Sequence, residues 1–203
     1  MRNYHFYRVR EQYWKADIGT VRASALLFFL LRTGFNGIWQ VSRKTGRYGT
    51  AAGLLNHTTS LFDYSLLKEW HTALQGTSIQ CGSYADLDVP EGAFIYCDPP
   101  YRASYADYGH AFTDEDHQQL ISWCRKQQER GCSVWLANRE ANDGFFEEHA
   151  SDASVVRFDI TYTAGRRKKT ANGYEAVKAT DLLLMWSRHE HTQKAAELFF
   201  NNK

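Results

Sequence analysis

The chain has 203 residues, 43% of them apolar, and a formal net charge of +1. That is enough apolar material to bury a real core and is most simply one domain, with no Gly/Ser-rich linker, single-charge block or internal repeat to divide it. The longest apolar stretch, Ala23 to Leu31, is far short of the ~20 residues that span a bilayer, and no charged-then-apolar signal opens the chain, so a soluble cytoplasmic protein is expected.

In chain order, Tyr4 to Trp14 reads as a helix. A second begins near Thr20, with Ala23, Leu26, Leu27, Leu30 and Leu31 recurring at helical spacing as a core face. Gly34 ends it, and Gly34, Gly37, Gly46, Gly49 and Gly53 punctuate a stretch of little periodicity, expected as a small loop-and-hairpin region. A third helix is expected from Asp63 to Gln75, closed by Gly76, with Leu67, Trp70 and Leu74 on one side. From Ser78 the pattern alternates: strand Ser78–Cys81, strand Ala93–Cys97, helix Thr113–Arg130, strand Ser133–Ala137, helix Asp143–His149, then strands Val155–Tyr162 and Asp181–Trp186. Such alternation predicts an α/β sheet, its last two strands an antiparallel hairpin at one edge. Thr113 with Asp116 predicts a capping box, Gly131 ends that helix, and a short closing helix is expected from Lys194 to Phe200. Cys81, Cys97, Cys124 and Cys132 make no Cys-x-x-Cys pair, so buried free thiols and no metal are expected.

The stretch with most chemical content is Asp98-Pro99-Pro100-Tyr101, placed directly after the apolar run Ala93-Phe94-Ile95-Tyr96-Cys97. It therefore sits at the carboxyl end of a strand, where α/β sheets gather ligands. Two prolines stiffen the backbone and remove two N–H donors, leaving carbonyl oxygens free to accept. A carboxylate, a carbonyl and a flat ring together suit a planar target with an exocyclic amine, such as an amino-purine. The plain alternative is a Pro-Pro turn that only stops a strand. Two basic stretches add to the first reading. Arg32 to Phe62 holds Arg32, Arg43, Lys44 and Arg47 and no acidic residue, and Gly165 to Lys178 holds Arg166, Arg167, Lys168, Lys169 and Lys178 against Glu175 alone. Interleaved with Phe35, Asn36, Trp39, Gln40 and Tyr48, they match what phosphate contact plus base readout requires; either alone reads as a solvated surface loop.

Three separated segments carry a family resemblance: Arg32-Thr33-Gly34-Phe35-Asn36-Gly37, then Cys81-Gly82-Ser83-Tyr84-Ala85-Asp86, then Tyr96-Cys97-Asp98-Pro99-Pro100-Tyr101. In this order they resemble the Dam-type (D12 class) DNA adenine-N6 methyltransferases, over nearly the whole chain to Trp186. The resemblance implies an incomplete Rossmann-like α/β sheet, with a helical and loop DNA-recognition subdomain inserted before the catalytic strand. Residues 1–77 are then the target-recognition region and 78–203 the carboxyl-terminal part of the catalytic domain. It implies that Asp98, Pro99, Pro100 and Tyr101 hold a flipped adenine, and that Asp98, Ser83 and Tyr84 border S-adenosyl-L-methionine. It further implies DNA contacts by Arg32, Phe35, Asn36, Gly37, Gln40, Arg43, Lys44, Arg47, Tyr48, Arg166, Arg167 and Lys168. The partner is double-stranded DNA, in a restriction-modification or related setting.

Two departures from the family pattern stand out. The amino-terminal part that grips the methionine and ribose, with its Phe-x-Gly-x-Gly turn, has no counterpart, since the chain contains no Gly-x-Gly. A truncated or split enzyme is therefore expected, completed by a separate amino-terminal half or another copy covering the open sheet edge, or else a noncatalytic DNA-binding remnant. In addition, Gln40 stands where members that read GATC carry an arginine, and about Ala51 where they carry a proline. Gln pairs with adenine N6 and N7 but makes no bidentate contact to guanine, so GATC specificity is not expected. An RNA or protein-glutamine methyltransferase is disfavoured by Asp98, because those loops usually carry Asn before Pro-Pro.

Overall fold

A computed structural model of the chain describes residues 2–42, 44–54, 62–102, 111–162, 168–170, 173–175 and 177–187. They form two compact units, one running up to Cys81 and one from Gly82 onward.

The first unit is built on α1 (Arg2–Trp14) and α2 (Val21–Thr33), followed by α3 (Tyr64–Ala73). α2 starts where it does because Thr20 is extended and its hydroxyl accepts the Ala23 N–H at 3.2 Å. It stops at Gly34, whose N–H closes on Leu30 O at 2.7 Å. Leu30 is fully buried with Phe6 and Val9 of α1 and with Tyr48 of the following segment. That segment returns as a loose hairpin through the bridges Val41↔Tyr48 and Gly34↔Ala52. Arg10 clips it to α1, donating to Thr50 O at 3.1 Å while its guanidinium lies over the Tyr7 and Trp14 rings. α3 is capped by Asp63, which accepts the Ser65 and Leu66 N–H groups. Its expected apolar side is present, but Leu67, Trp70 and Leu74 are exposed and the helix buries none of its residues.

The second unit is α/β. β1 (Phe94–Cys97), β2 (Ser133–Arg139), β3 (Ser154–Tyr162) and β6 (Val177–Trp186) form one open sheet in the order β1-β2-β6-β3, and β4 (Lys168–Thr170) with β5 (Gly173–Glu175) form a small ribbon. β1 and β2 are parallel, and the other pairs are antiparallel. α4 (Asp114–Glu129) and α5 (Phe145–His149) pack Leu120, Ile121, Cys124 and Phe146 against Val134, Leu136, Leu182 and Leu184 of the sheet. α4 carries the expected capping box: the Thr113 hydroxyl accepts the Asp116 N–H, and the Asp116 carboxylate accepts the Thr113 N–H at 2.8 Å.

Several boundaries differ from the sequence expectation. Ser78–Cys81 is not a strand: the segment is irregular and exposed, no strand pairs with it, and the Cys81 thiol is exposed, not buried. β2 runs two residues further than expected, to Arg139, because β6 pairs with it as far as Asp181. α5 begins at Phe145, not Asp143: Gly144 is left-handed (φ 77°), and the Asp143 carboxylate accepts the Phe145 N–H. The basic stretch read as a loop contains β4 and β5. The expected helix Lys194 to Phe200 lies outside the described residues.

Register gives the sheet a functional direction. β6 runs against β2, and β3 runs against β6, so the end of β3 and the start of β6 lie at the same end of the sheet as the carboxyl ends of β1 and β2. The two strands also overshoot: the last β2 pair is Arg139↔Asp181, whereas β3 and β6 stay paired from Asp159↔Thr180 to Tyr162↔Val177. At about 3.3 Å per residue this arm projects roughly 13 Å beyond β2.

Candidate active site at the carboxyl end of β1

Asp98 is the first residue after β1 and is exposed, while Pro99, Pro100 and Tyr101 are half-buried. Among the described residues, none hydrogen-bonds the Asp98 carboxylate. Its charge reaches Tyr96, two residues back on the same face of the chain, whose phenol is raised first by burial and then by that carboxylate. The Tyr101 ring rests against a patch formed by Ala137, Leu183 and Met185. The loop is therefore open on its acidic side and supported behind its ring, and the four residues are not sealed inside a core.

The support comes from three residues outside the motif. Asn138, at the end of β2 and with no exposed surface, accepts the Arg102 N–H at 2.9 Å and the Arg139 N–H at 2.8 Å through one oxygen. Its amide nitrogen is buried without a partner among the described residues. His117 on α4, 2% exposed, places Nε2 3.1 Å from Pro100 O and Nδ1 2.8 Å from Thr113 O. Burial holds its imidazole below the ordinary histidine range, with the nearby Arg102 charge adding to this, against hydrogen bonds to both carbonyls and the Asp114 charge. Arg102 donates to both oxygens of Asp114 (2.8 and 2.9 Å) and both of Asp143 (3.0 and 2.9 Å), its guanidinium 3.8 Å from the centre of the Phe145 ring. These bonds hold both carboxyl groups below the usual carboxylate range.

The sequence reading missed all three. Arg102 adjoins the motif, but nothing in its local sequence sets it apart. His117 was one of eight scattered histidines. Asn138 alone offered a signal, an amide interrupting the apolar strand Val134-Trp135-Leu136-Ala137.

Ser83 caps a 3-10 turn, its hydroxyl accepting the Ala85 N–H at 3.2 Å, and Tyr84 is half-buried edge-on to Trp123 at 5.4 Å. Of the expected DNA contacts in the first unit, Arg32, Phe35, Asn36, Gly37, Gln40, Lys44 and Arg47 are exposed. Phe35–Gly37 forms a 3-10 turn, with Asn36 left-handed at φ 53°. Tyr48 corrects the expectation: its ring is 2% exposed, packed with Leu30 and Trp39, and offers no face to a base. Arg43, Arg166 and Arg167 lie outside the described residues, and Lys168 opens β4. No described helix is long and apolar enough to cross a membrane.

An exposed acid ending a parallel strand, followed by a stiff Pro-Pro-Tyr loop in an α/β sheet, agrees with the family match. The model of the D12 class N6 adenine-specific DNA methyltransferases covers residues 1–166, and the chain belongs to that family. Curated relatives include the type II methyltransferase M.MjaIII of Methanocaldococcus jannaschii, 31% identical over 69% of this chain and 51% of the relative. The retron Ec67 DNA adenine methylase of Escherichia coli is 23% identical over 88% of this chain and 60% of its own length. A DNA N-6-adenine-methyltransferase of Escherichia phage P1 is 27% identical over 66% of this chain and 18% of its own length. The chain thus spans about half the length of the first two.

Proposed function

We propose that this chain is the target-binding portion of a cytoplasmic, site-specific DNA adenine-N6 methyltransferase, with residues 1–77 reading DNA and 78–203 holding the adenine. The observation that carries the reading is the exposed Asp98 carboxylate, unpartnered among the described residues and followed by the supported Pro99-Pro100-Tyr101 loop. Adenine inside a duplex is out of reach, so the base is extruded at a cost of a few kcal/mol, with Phe35 and Asn36 filling the vacated space. Tyr101 stacks on the extruded base. Asp98 and the Pro99 carbonyl accept hydrogen bonds from the N6 amine, favour a pyramidal nitrogen and stabilise the positive charge that builds on it, which N6 sheds by releasing one proton to solvent once it carries the methyl. The stiff loop supplies positioning. S-adenosyl-L-methionine, when bound, supplies a methyl carbon activated by a sulfonium. Asp98 fits that cation in charge, and the Ser83–Tyr84 segment is the part that the family resemblance assigns to its adenine.

The arm formed by β3 and β6 supports a second DNA contact, because the connection bearing Arg166, Arg167 and Lys168 leaves the sheet at the end where Asp98 lies. β1 supports the need for a partner strand: it is an edge of the described sheet, with Phe94 61% and Tyr96 56% exposed. An amino-terminal segment or another copy pairs there. The test is transfer of a radiolabelled methyl group to duplex DNA, by the chain alone and with a relative's amino-terminal segment added. Asp98→Ala is expected to abolish transfer, whereas Tyr101→Phe keeps more activity than Tyr101→Ala. Transfer that survives Asp98→Ala removes the assignment. No transfer in either mixture, with DNA still bound, leaves a noncatalytic DNA-binding remnant.

A further inference from the structure

We propose that His117 and Asn138 are positioning residues that hold the backbone on either side of Tyr101, and so fix the plane of the ring against which the base stacks. The inference rests on the functional reading above for its use, but on geometry for its substance. Tyr101 has one anchored peptide before it and one after it: Nε2 of His117 lies 3.1 Å from Pro100 O, and Oδ1 of Asn138 accepts the Arg102 N–H at 2.9 Å. Both anchors are buried, at 2% and 0% exposure, and sit on separate elements, α4 and β2. Asn138 reaches this place with its own amide nitrogen unpartnered among the described residues, an omission that calls for a reason beyond packing. Pro100 O is also the carbonyl next to the one assigned to N6, so His117 occupies an acceptor that the base does not need.

The anchor before Tyr101 is tied to proton binding. Both ring nitrogens of His117 face carbonyl oxygens, and a neutral imidazole has one N–H to give. Only the imidazolium donates to Thr113 O and Pro100 O together; the neutral ring turns a lone pair on one of them. The charged groups around it are Asp114 and Asp116 on α4 itself, Arg102 on the loop, and Asp143 ahead of α5 through Arg102; the Phe112 and Phe145 rings complete its surroundings. The grip on Pro100 is therefore strongest on the acid side of the His117 titration, which burial moves below the ordinary value of 6.5.

The test reads Tyr101 directly. Ring signals of 13C-tyrosine, assigned with Tyr101→Phe, are followed from pH 5 to 8.5 in the intact chain alongside the 15N signals of His117. In the wild type the Tyr101 signals shift with the His117 titration. In His117→Gln, whose amide keeps a donor near Pro100 O but has no proton to lose, they stay in place and stop titrating. In His117→Leu and Asn138→Ala they move or broaden. Where methyl transfer is measurable, His117→Leu lowers kcat about tenfold with little change in KM for DNA, and His117→Gln restores most of it. Tyr101 signals that ignore the His117 titration in the wild type, or that titrate unchanged in His117→Gln, overturn the proposal even if the Leu variant fails to fold. A chain that shows the titration yet neither binds nor methylates DNA keeps the anchoring and loses the functional reading instead.

Discussion

At the scale of single residues, Arg102 holds the loop to the starts of two helices with an 8% exposed side chain between two half-exposed carboxylates. Arg102→Lys keeps the charge but loses the fork, and is expected to lower stability by about 1–2 kcal/mol at pH 7, read as a drop in Tm. The sign of its pH dependence follows from the partners. Asp114 and Asp143 titrate below their unfolded value of 3.8 because Arg102 faces them. The stability they add is thus present above that value and lost as pH falls through the lower folded one, and the gap between wild type and Arg102→Lys narrows toward zero below about pH 3.8. Tyr48 gives a second prediction. Its hydroxyl makes a long bond, 3.4 Å to Leu30 O, and interacts with the Thr50 side chain, whereas its ring fills the core of the first unit. Tyr48→Phe is expected to cost about 1 kcal/mol or less and Tyr48→Ala about 3–5 kcal/mol in chemical denaturation. A base-stacking Tyr48 predicts the opposite ranking of effects, on DNA affinity and not on stability.

Among elements, those read well from the chain had their stop signals written locally. α2 has Thr20 and Gly34, α4 has Thr113, Asp116 and Gly131, and β1 ends at two prolines. Those misread depended on partners. Ser78–Cys81 has strand-like residues but no strand beside it; β2 outruns its apolar stretch because β6 pairs with it as far as Asp181, and β6 outruns its own because β3 pairs with its first four residues, Val177 to Thr180. The candidate site divides in the same way: the acid and its prolines were legible as a motif, while Asn138 and His117 gain meaning only when β2 and α4 bring them to the loop. Tyr48 was misjudged because an aromatic residue in a basic, glycine-rich stretch reads as surface until its cluster is known. One junction is testable. A Cβ on Gly53 would lie 2.7 Å from Gly34 O and 3.1 Å from Thr33 O, both backbone atoms at the end of α2. Gly53→Ala is expected to cost about 1–3 kcal/mol by prising the returning segment from the helix end, whereas Gly82→Ala, which meets nothing within 4 Å, is expected to be nearly neutral.

For the molecule as a whole, β1 bears the proposed acid while presenting Phe94 and Tyr96 to solvent at an unpaired edge of the described sheet. A lysine there opposes strand addition, so Tyr96→Lys is expected to weaken association with an amino-terminal segment at least tenfold by light scattering or titration while leaving Tm within a few degrees. The overhanging β3–β6 pair has a different consequence, one of length. From the level of Asp98, beside Ala137↔Leu183, to its last pair Tyr162↔Val177, β6 runs six residues, or about 20 Å. Were a duplex to lie along it as the proposed second DNA contact requires, rising roughly 3.4 Å per step, the end of the arm would lie about six base pairs from the extruded nucleotide. Trimming the oligonucleotide inside that span on one flank flattens the dependence of binding on salt, and trimming the opposite flank leaves it unchanged.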